Sequence, residues 1–149
     1  MFEDHALVAD LRETLGLALA IDDEGRSVIS DNAGGEIGIF FRRDGAQVHL
    51  CAAVRHVEMA DPSPLYQALL QANLTNSIEH DFYFGLDRDG HQVMIFSELD
   101  AEDLSASTFV DVLEAFASCR DSLRHDLESA LGLTSPGADS AQQPHTMHV

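Results

Sequence analysis

Apolar and polar positions alternate along five short segments of the chain, and this period of two predicts five β-strands. The third segment is the clearest case, since Val48, Leu50, Ala52 and Val54 fall on one side of it. Asp-Gly pairs follow the second and fourth segments, as expected where two strands join in a hairpin. The predicted strands are residues 26–30, 36–42, 46–55, 81–87 and 91–97.

Apolar residues spaced three or four apart predict two amphipathic helices, one near each end of the chain. The first covers residues 3–15 and ends before Gly16, and the second covers residues 105–131 and ends before Gly132. A glycine directly after a helix is favoured because it adopts the left-handed conformation that ends many helices. The apolar positions are Leu7, Val8, Leu11 and Leu15 in the first helix, and Phe109, Val112, Phe116, Cys119, Leu123, Leu127 and Ala130 in the second.

A third helix, predicted over residues 63–76, has apolar residues on almost every side. Its stretch LYQALLQANL, residues 65–74, leaves only a narrow polar gap, formed by Gln67 and Gln71. A helix on the surface of a small domain normally has one apolar face and one polar face. The second apolar side therefore needs a covering surface, and the same helix of a two-fold related subunit would supply it.

These elements follow one another in the order α-β-β-β-α-β-β-α, which predicts an α+β fold with an antiparallel sheet and three helices. A length of 149 residues is that of a single domain. We place this domain at residues 1–133. Residues 134–149 are small and polar and include Pro and Gly, so they are predicted to form a disordered C-terminal tail.

The alternate positions of the predicted strands are also apolar, although one side of an antiparallel sheet often faces water. Such a sheet has more apolar surface than one small domain covers easily, which indicates a binding partner. Strand 26–30 is a candidate open edge, where an extended peptide could add as a further strand. The other interpretation is that a helix of the same chain covers this side. The alternate residues are Phe40, Cys51, Ala53, Tyr83, Met94 and Phe96.

The charge of the chain restricts the partners that it can have. It contains 26 acidic and 8 basic residues, for a formal net charge of −18 and a pI near 4.4. Such a charge repels nucleic acid and anionic membranes, and it favours neutral or basic protein partners. The acidic N-terminus has no signal-peptide pattern, so a cytoplasmic location is expected. Cys51 and Cys119 are expected to be buried free thiols, as in a reducing compartment.

No pattern of catalytic or metal-binding residues is recognisable in the sequence. It has no GxSxG nucleophile turn and no phosphate-binding loop, and it contains no lysine. The eight histidines match no compact ligand set such as HExxH. We therefore expect a protein without enzymatic activity, without a cofactor and without a bound metal.

Several stretches, taken together, resemble the class I type III secretion chaperones, the Tir-chaperone or CesT-like family. The most specific combination is LYQALLQANL, then the hairpin GLDRDG, and then the late helix that contains FVDVLEAF. The matching stretches run from about residue 7 to residue 131 and are LVADLRETLGLALAIDDEG, VHLCAAV, SPLYQALLQANL, FGLDRDGHQVMIFSEL and DLSASTFVDVLEAFASCRDSLRHDL.

The resemblance implies a homodimer of the bacterial cytoplasm that has no enzymatic activity and serves virulence. Such a chaperone binds the N-terminal segment of a type III secreted effector in extended form and keeps it soluble and competent for secretion. The ATPase of the secretion apparatus is a further candidate partner. The residues themselves leave a second class open, an acidic α+β adaptor or regulatory dimer that binds a folded protein.

The apolar patterns and the resemblance together give two sets of candidate site residues. The helix over 63–76 is expected to form the dimer interface, and which of its leucines face the partner subunit is left open. The interface candidates are Leu65, Tyr66, Leu69, Leu70, Asn73 and Leu74. The apolar second side of the sheet and an edge strand are expected to bind the effector. The effector-binding candidates are Val28, Ile29, Phe40, Cys51, Met94 and Phe96.

Overall fold

The computed structural model describes residues 5–31, 34–79 and 81–133, without the side chains of residues 77–79. The tail predicted at residues 134–149 lies outside these residues, and the domain boundary at residue 133 stays a prediction. The predicted order of elements and the α+β class are confirmed. The helices are α1 (Ala6–Leu15), α2 (Ser63–Glu79) and α3 (Ala106–Ala130), and the strands are β1 (Arg26–Ser30), β2 (Glu36–Phe41), β3 (Gln47–His56), β4 (Phe82–Leu86) and β5 (Gln92–Asp100).

The five strands form one antiparallel sheet in the order β1-β2-β3-β5-β4, so β1 and β4 are its edges. Both predicted Asp-Gly hairpins are present, and Gly45 and Gly90 adopt positive φ angles of 73° and 72° in their turns. β5 continues beyond its predicted end at residue 97, because Gln47 of β3 still pairs with Asp100. A 3₁₀ turn, Ala101–Asp103, then leads towards α3.

The core lies between one face of the sheet and the three helices. Strand residues predicted to share this inner face are buried there, and Phe41, Val48 and Ile95 are 0% exposed. α2 adds Leu65 and Leu69 to the same core from its inner side. Complete burial of each such side chain stabilises the fold by about 1.5–3 kcal/mol. The alternation of apolar residues along the strands therefore identifies the core face correctly.

A β-bulge in β3 changes the direction of one arginine. The pairing with β5 shifts register between Ala53 and Arg55, so Arg55 faces the helices and is only 6% exposed. Its Nη1 donates to Oε2 of Glu128 on α3 at 3.0 Å. The carbonyl oxygen of Val54 accepts from Nε of Arg124 at 2.8 Å. These two contacts bond α3 to the central strand of the sheet.

A second buried arginine holds the connection between β1 and β2 against α3. Arg120 is 2% exposed and pairs with the carboxylates of Asp31 and Asp121. Gly35 lies against its guanidinium, since a Cβ at this position would come within 2.8 Å of Nη1. Removing one partner of a buried ion pair is costly, because the other charge stays buried. The position of the end of β1 relative to α3 therefore depends on this cluster.

α1 begins with an imidazole as its N-cap. The helix starts at Ala6, later than the predicted residue 3, and Nδ1 of His5 accepts a hydrogen bond from the backbone N–H of Leu7 at 3.2 Å. Burial lowers the pKa of His5 below its ordinary value. The end of α1 is as predicted, because Gly16 follows it with a φ of 67°. The cap therefore links the stability of α1 to pH.

Replacing His5 by asparagine should reduce the pH dependence of stability below neutral pH. Nδ1 accepts the cap hydrogen bond only while it is unprotonated. Because the folded pKa of His5 is lowered, its contribution is fully present above the unfolded pKa of about 6.5, and it is lost as the pH falls through the folded pKa. Asparagine caps a helix without such a titration, and a cap contributes about 1 kcal/mol.

The measurement is the free energy of unfolding in urea at about pH 5 and about pH 7.5. It should fall less on acidification in His5→Asn than in the wild type. His91→Asn, which changes an exposed histidine, is the matched control and should keep the wild-type difference. Equal losses in His5→Asn and the wild type would show that the His5 cap does not control this pH dependence.

Candidate protein-binding site

The outer face of the sheet, on the side away from the helices, is apolar across all five strands. The strand register places Val28, Gly38, Cys51, Phe96 and Tyr83 in one row that runs from β1 to β4. Val28 is 62% exposed, Tyr83 48% and Phe96 37%. The buried residues of the three helices belong to the core on the other face. Within the described part of the chain, no helix covers the outer face.

Two glycines let neighbouring side chains lie flat on the outer face. A Cβ on Gly38 would come within 3.1 Å of Sγ of Cys51, and one on Gly85 within 3.3 Å of Cε2 of Phe96.

Cys51 is exposed, so the expectation that it is buried is wrong, because its side chain points to the outer face. Although much of the side chain is accessible, the neighbouring atoms partly desolvate its thiol, and this raises the pKa of Cys51 and favours the uncharged form. Cys119, also a free thiol, is half-buried on α3.

The other residues expected on this side also lie on the outer face. Ala53 and Phe40 are exposed, and Met94 is half-buried. Phe40 stands beside His49, with their ring centroids 6.1 Å apart, and Glu98 follows in the same row across the sheet. The apolar surface is therefore bounded by polar groups towards this end of the strands.

Side chains of α2 close the edge of the sheet at β4. Nδ2 of Asn73 donates to the carbonyl oxygen of Phe84 at 2.9 Å, and Oδ1 of Asn73 accepts from the N–H of Phe84 at 2.6 Å. Nδ2 of Asn76 donates to the carbonyl oxygen of Phe82 at 2.7 Å. Asn73, expected in the dimer interface, is instead engaged with β4 of its own protomer. A further strand cannot pair with these groups of β4 unless the asparagine contacts break.

The edge of the sheet at β1 is open. The carbonyl oxygen of Gly25 and the N–H of Asp31 both bond towards β2, at 2.8 Å each. Backbone groups alternate in direction along an antiparallel strand, so those of Val28 and Ser30 point away from β2. Among the described strands none pairs with them, since β1 is the last strand of the sheet. The predicted candidate edge, residues 26–30, is therefore an edge of the sheet.

A groove of about 770 Å³ lies beside this edge, between β1 and α3. We call it the β1–α3 groove. Ile29, an effector-binding candidate on the edge strand, forms part of it and lies on the helix side of β1, whereas Val28 lies on the outer face. Successive residues of a strand point to opposite faces, which accounts for the difference. Its apolar lining residues are Ile29, Ile37, Val110, Leu113 and Ala117, and its acidic ones are Asp31, Glu114, Asp121 and Asp126.

The outer side of α2 carries a second exposed apolar surface. Tyr66, Leu70 and Leu74 recur at intervals of four residues on this side and are 39%, 72% and 70% exposed. Leu65 and Leu69 are 1% and 5% exposed, because they face the core of their own protomer. Of the six residues expected in a dimer interface, three therefore remain available on the surface.

The arrangement of the elements agrees with the resemblance seen in the sequence. The model of the Tir chaperone protein (CesT) family matches residues 6–124. The chain belongs to the Tir chaperone protein family. The match covers α1, α2, all five strands and most of α3, so it includes the open edge and the groove beside it except for His125 and Asp126. No curated protein sequence matches the chain closely enough to count as a relative.

Solved structures with this fold include complexes of type III chaperones. A chain in the HopA1–SchA chaperone–effector complex is 16% identical, with a TM-score of 0.68 over 83% of this chain and 94% of that one. A chain in the ExsC–ExsE complex is 19% identical, with a TM-score of 0.66 over 81% and 90%. The Yersinia pestis type III secretion chaperone SycH, solved with a fragment of YscM2, is 18% identical, with a TM-score of 0.62 over 80% and 98%. At these identities the likeness shows the family's fold.

The open edge and the exposed apolar surfaces of this Tir-family chain are surfaces that suit protein binding. Within residues 5–31, 34–79 and 81–133, no three His, Cys, Asp or Glu side chains are grouped as metal ligands would be. No helix in the same ranges is long and apolar enough to cross a membrane. The closure of β4 by α2 is not among the features predicted from the sequence. Its signal is two asparagines spaced i and i+3 on a helix that is otherwise mostly apolar.

Proposed function

We propose that this chain is a dimeric chaperone without enzymatic activity, located in the bacterial cytoplasm, that binds the N-terminal segment of a type III secreted effector in extended form. Membership of the Tir chaperone family supports the proposal, as does a fold shared with a protein solved in a chaperone–effector complex. The observation that carries it is the open edge of β1, with an apolar groove on one side and an apolar sheet face on the other.

The effector segment adds to the sheet as a sixth strand. Its backbone bonds to the outward N–H and C=O groups of Val28 and Ser30. Its side chains alternate, so that one set enters the β1–α3 groove beside Ile29 and the other set lies on the outer face beside Val28. These backbone hydrogen bonds can form whatever side chains the segment carries, and a segment held in this way stays unfolded. Both properties suit a chaperone that prepares a protein for export.

The dimer forms through the outer side of α2. Tyr66, Leu70 and Leu74 supply an apolar surface that a two-fold related copy can cover with the same residues. α2 is bonded to β4, at the opposite end of the sheet from β1. Contact through α2 therefore leaves both β1 edges of the dimer accessible, and one effector segment can reach two protomers.

An adaptor or regulatory dimer that binds a folded protein is the second candidate. The observation in its favour is the outer face, where Phe40, Tyr83 and Phe96 are 42%, 48% and 37% exposed. Large exposed apolar surfaces often mark sites of protein contact. A folded partner would use this face and would leave the edge of β1 unpaired, so the two candidates differ in their need for β1.

Val28→Pro should weaken effector binding without unfolding the chaperone. Proline removes the outward N–H of Val28 and is tolerated on edge strands, where that N–H has no partner in the sheet. We expect the affinity to fall about tenfold or more, because the added strand loses a backbone bond and meets the proline ring. The partner is first isolated by pull-down and mass spectrometry, and binding of its N-terminal segment is measured by calorimetry.

Val28→Thr, which keeps the N–H and the branched side chain, is the matched control and should bind like the wild type. Circular dichroism of both variants should match the wild type. Undiminished binding by Val28→Pro, together with loss of binding in the double variant Phe40→Glu and Phe96→Glu, would contradict strand addition. That result would instead support a folded partner on the outer face.

Leu70→Asp should produce a folded monomer. Each buried leucine contributes about 1.5–3 kcal/mol, and a two-fold interface contains it twice. Leu70 is 72% exposed in the protomer, so its replacement leaves the core intact. Sedimentation velocity at micromolar concentration should show a dimer for the wild type and for the control Gln67→Asp, which changes an exposed residue of the same helix. A wild-type monomer under these conditions would contradict the proposed dimer.

A further inference from the structure

We infer that the β1–α3 groove selects effector segments that carry an aliphatic residue and, two or four positions away on the same side of the strand, an arginine or lysine. The inference rests on the proposed strand addition at β1 and adds the chemistry of the segment that is accepted. It follows from three properties of the groove: its apolar lining, its acidic lining residues, and the spacing of these two parts along α3.

The apolar part of the groove requires an aliphatic side chain. Ile29 and Ile37 of the sheet and Leu113 of α3 line it, and Ala117 leaves space between them because its side chain is small. The groove volume of about 770 Å³ accommodates more than one side chain. Covering this surface with an aliphatic residue removes it from water, which is favourable in proportion to the apolar area buried. A polar residue at the same position would lose its contact with water.

The charged part of the groove requires a basic side chain. Four of its lining residues are acidic, His125 also lines it, and no arginine does. Asp31 and Asp121 are paired with the buried Arg120. Glu114 and Asp126 are exposed and belong to none of the ion pairs between described residues. Beside an apolar surface a charge pair is screened less than in open water, so these two carboxylates favour a cation and disfavour an acidic residue.

The spacing of the two requirements matches the repeat of a β-strand. On α3, Glu114 lies three residues before Ala117 and Asp126 lies nine residues after it, which is about 4.5 Å and about 13.5 Å along the helix axis at 1.5 Å per residue. Side chains on the same side of a strand are separated by two residues, or about 6.6–6.8 Å. One groove-facing residue of the added strand can therefore lie against the apolar part of the groove. The next residue on the same side of the strand, or the one after that, reaches the carboxylate of Glu114 or Asp126.

Selection from a displayed library of random nine-residue segments, carried out on the full-length protein, tests the inference. The wild type should enrich aliphatic residues at alternate positions, with arginine or lysine two or four positions from one of them. The double variant Glu114→Gln and Asp126→Asn should keep the aliphatic enrichment and lose the basic one. A synthetic peptide of the enriched sequence should bind this variant about three- to tenfold more weakly than the wild type, as expected for two exposed charge pairs.

The matched control is the double variant Glu13→Gln and Glu102→Gln. It makes the same change in net charge at exposed residues that do not line the groove, and it should retain both enrichments. Two results would overturn the inference. One is equal enrichment of basic residues at odd and even distances from the aliphatic residue. The other is enrichment of basic residues that persists in the double variant Glu114→Gln and Asp126→Asn. They would show that only the overall charge of −18 attracts them.

Two further results separate this inference from the proposed function. If Val28→Pro enriches the same segments as the wild type, or if the wild type enriches none, strand addition at β1 is wrong, and the inference fails with it. If Glu114→Gln and Asp126→Asn change the sedimentation of the protein but not its selection of segments, the groove is an interface between copies of the chain. That outcome also overturns the inference.

Discussion

A strand at the edge of a β-sheet leaves backbone N–H and C=O groups without partners in the sheet, and the two edges of this sheet differ in how these groups are satisfied. At β4 the side-chain amides of Asn73 and Asn76 bond to the backbone of Phe84 and Phe82. At β1 the corresponding groups of Val28 and Ser30 point away from the sheet. The proposed function uses this difference, with subunit contact through α2 at one end of the sheet and an incoming segment at the other.

The open edge at β1 is short, and contacts between acidic residues and arginines fix the chain on both sides of it. Asp22 bonds to the backbone of Arg26 through its N–H and through its carboxylate, both at 2.9 Å, so pairing is left to the far end of β1. Arg120 holds the connection that follows β1 through its ion pair with Asp31. A short edge and a strongly acidic surface both reduce edge-to-edge aggregation of the free protein. The open part of β1 is thus a short stretch of backbone, and the ion pairs of a buried arginine fix its position relative to α3.

The fold could be predicted from the sequence because its strands and two of its helices have regular apolar periods. The alternation of Val48, Leu50 and Ala52 requires one buried face whatever the rest of the chain does. α2 could be predicted as a helix, but not which of its sides faces the core. Leu65 and Leu69 point inwards and Leu70 outwards, and a helix that is apolar all round contains no sign of that choice.

The parts of the site that escaped prediction depend on contacts between distant residues. Arg55 faces the helices because of a bulge, and a bulge has no simple sequence signature when the flanking residues still alternate. Val28 and Ile29 are both effector-binding candidates from the sequence, and strand geometry places these neighbours on opposite faces of the sheet. The β1–α3 groove could not be foreseen, because its lining combines residues of β1 and β2 with residues of α3 almost a hundred positions later.

Hydrogen–deuterium exchange of the backbone amides, in the full-length protein with and without the bound effector segment, tests the central claim most directly. The account predicts that the amides of Val28 and Ser30 become protected when the segment binds, because they gain partners in the added strand. The amide of Phe84 already donates to Asn73 and should exchange at an unchanged rate. Saturated binding that protects β4 and leaves Val28 and Ser30 exchanging as before would contradict the account.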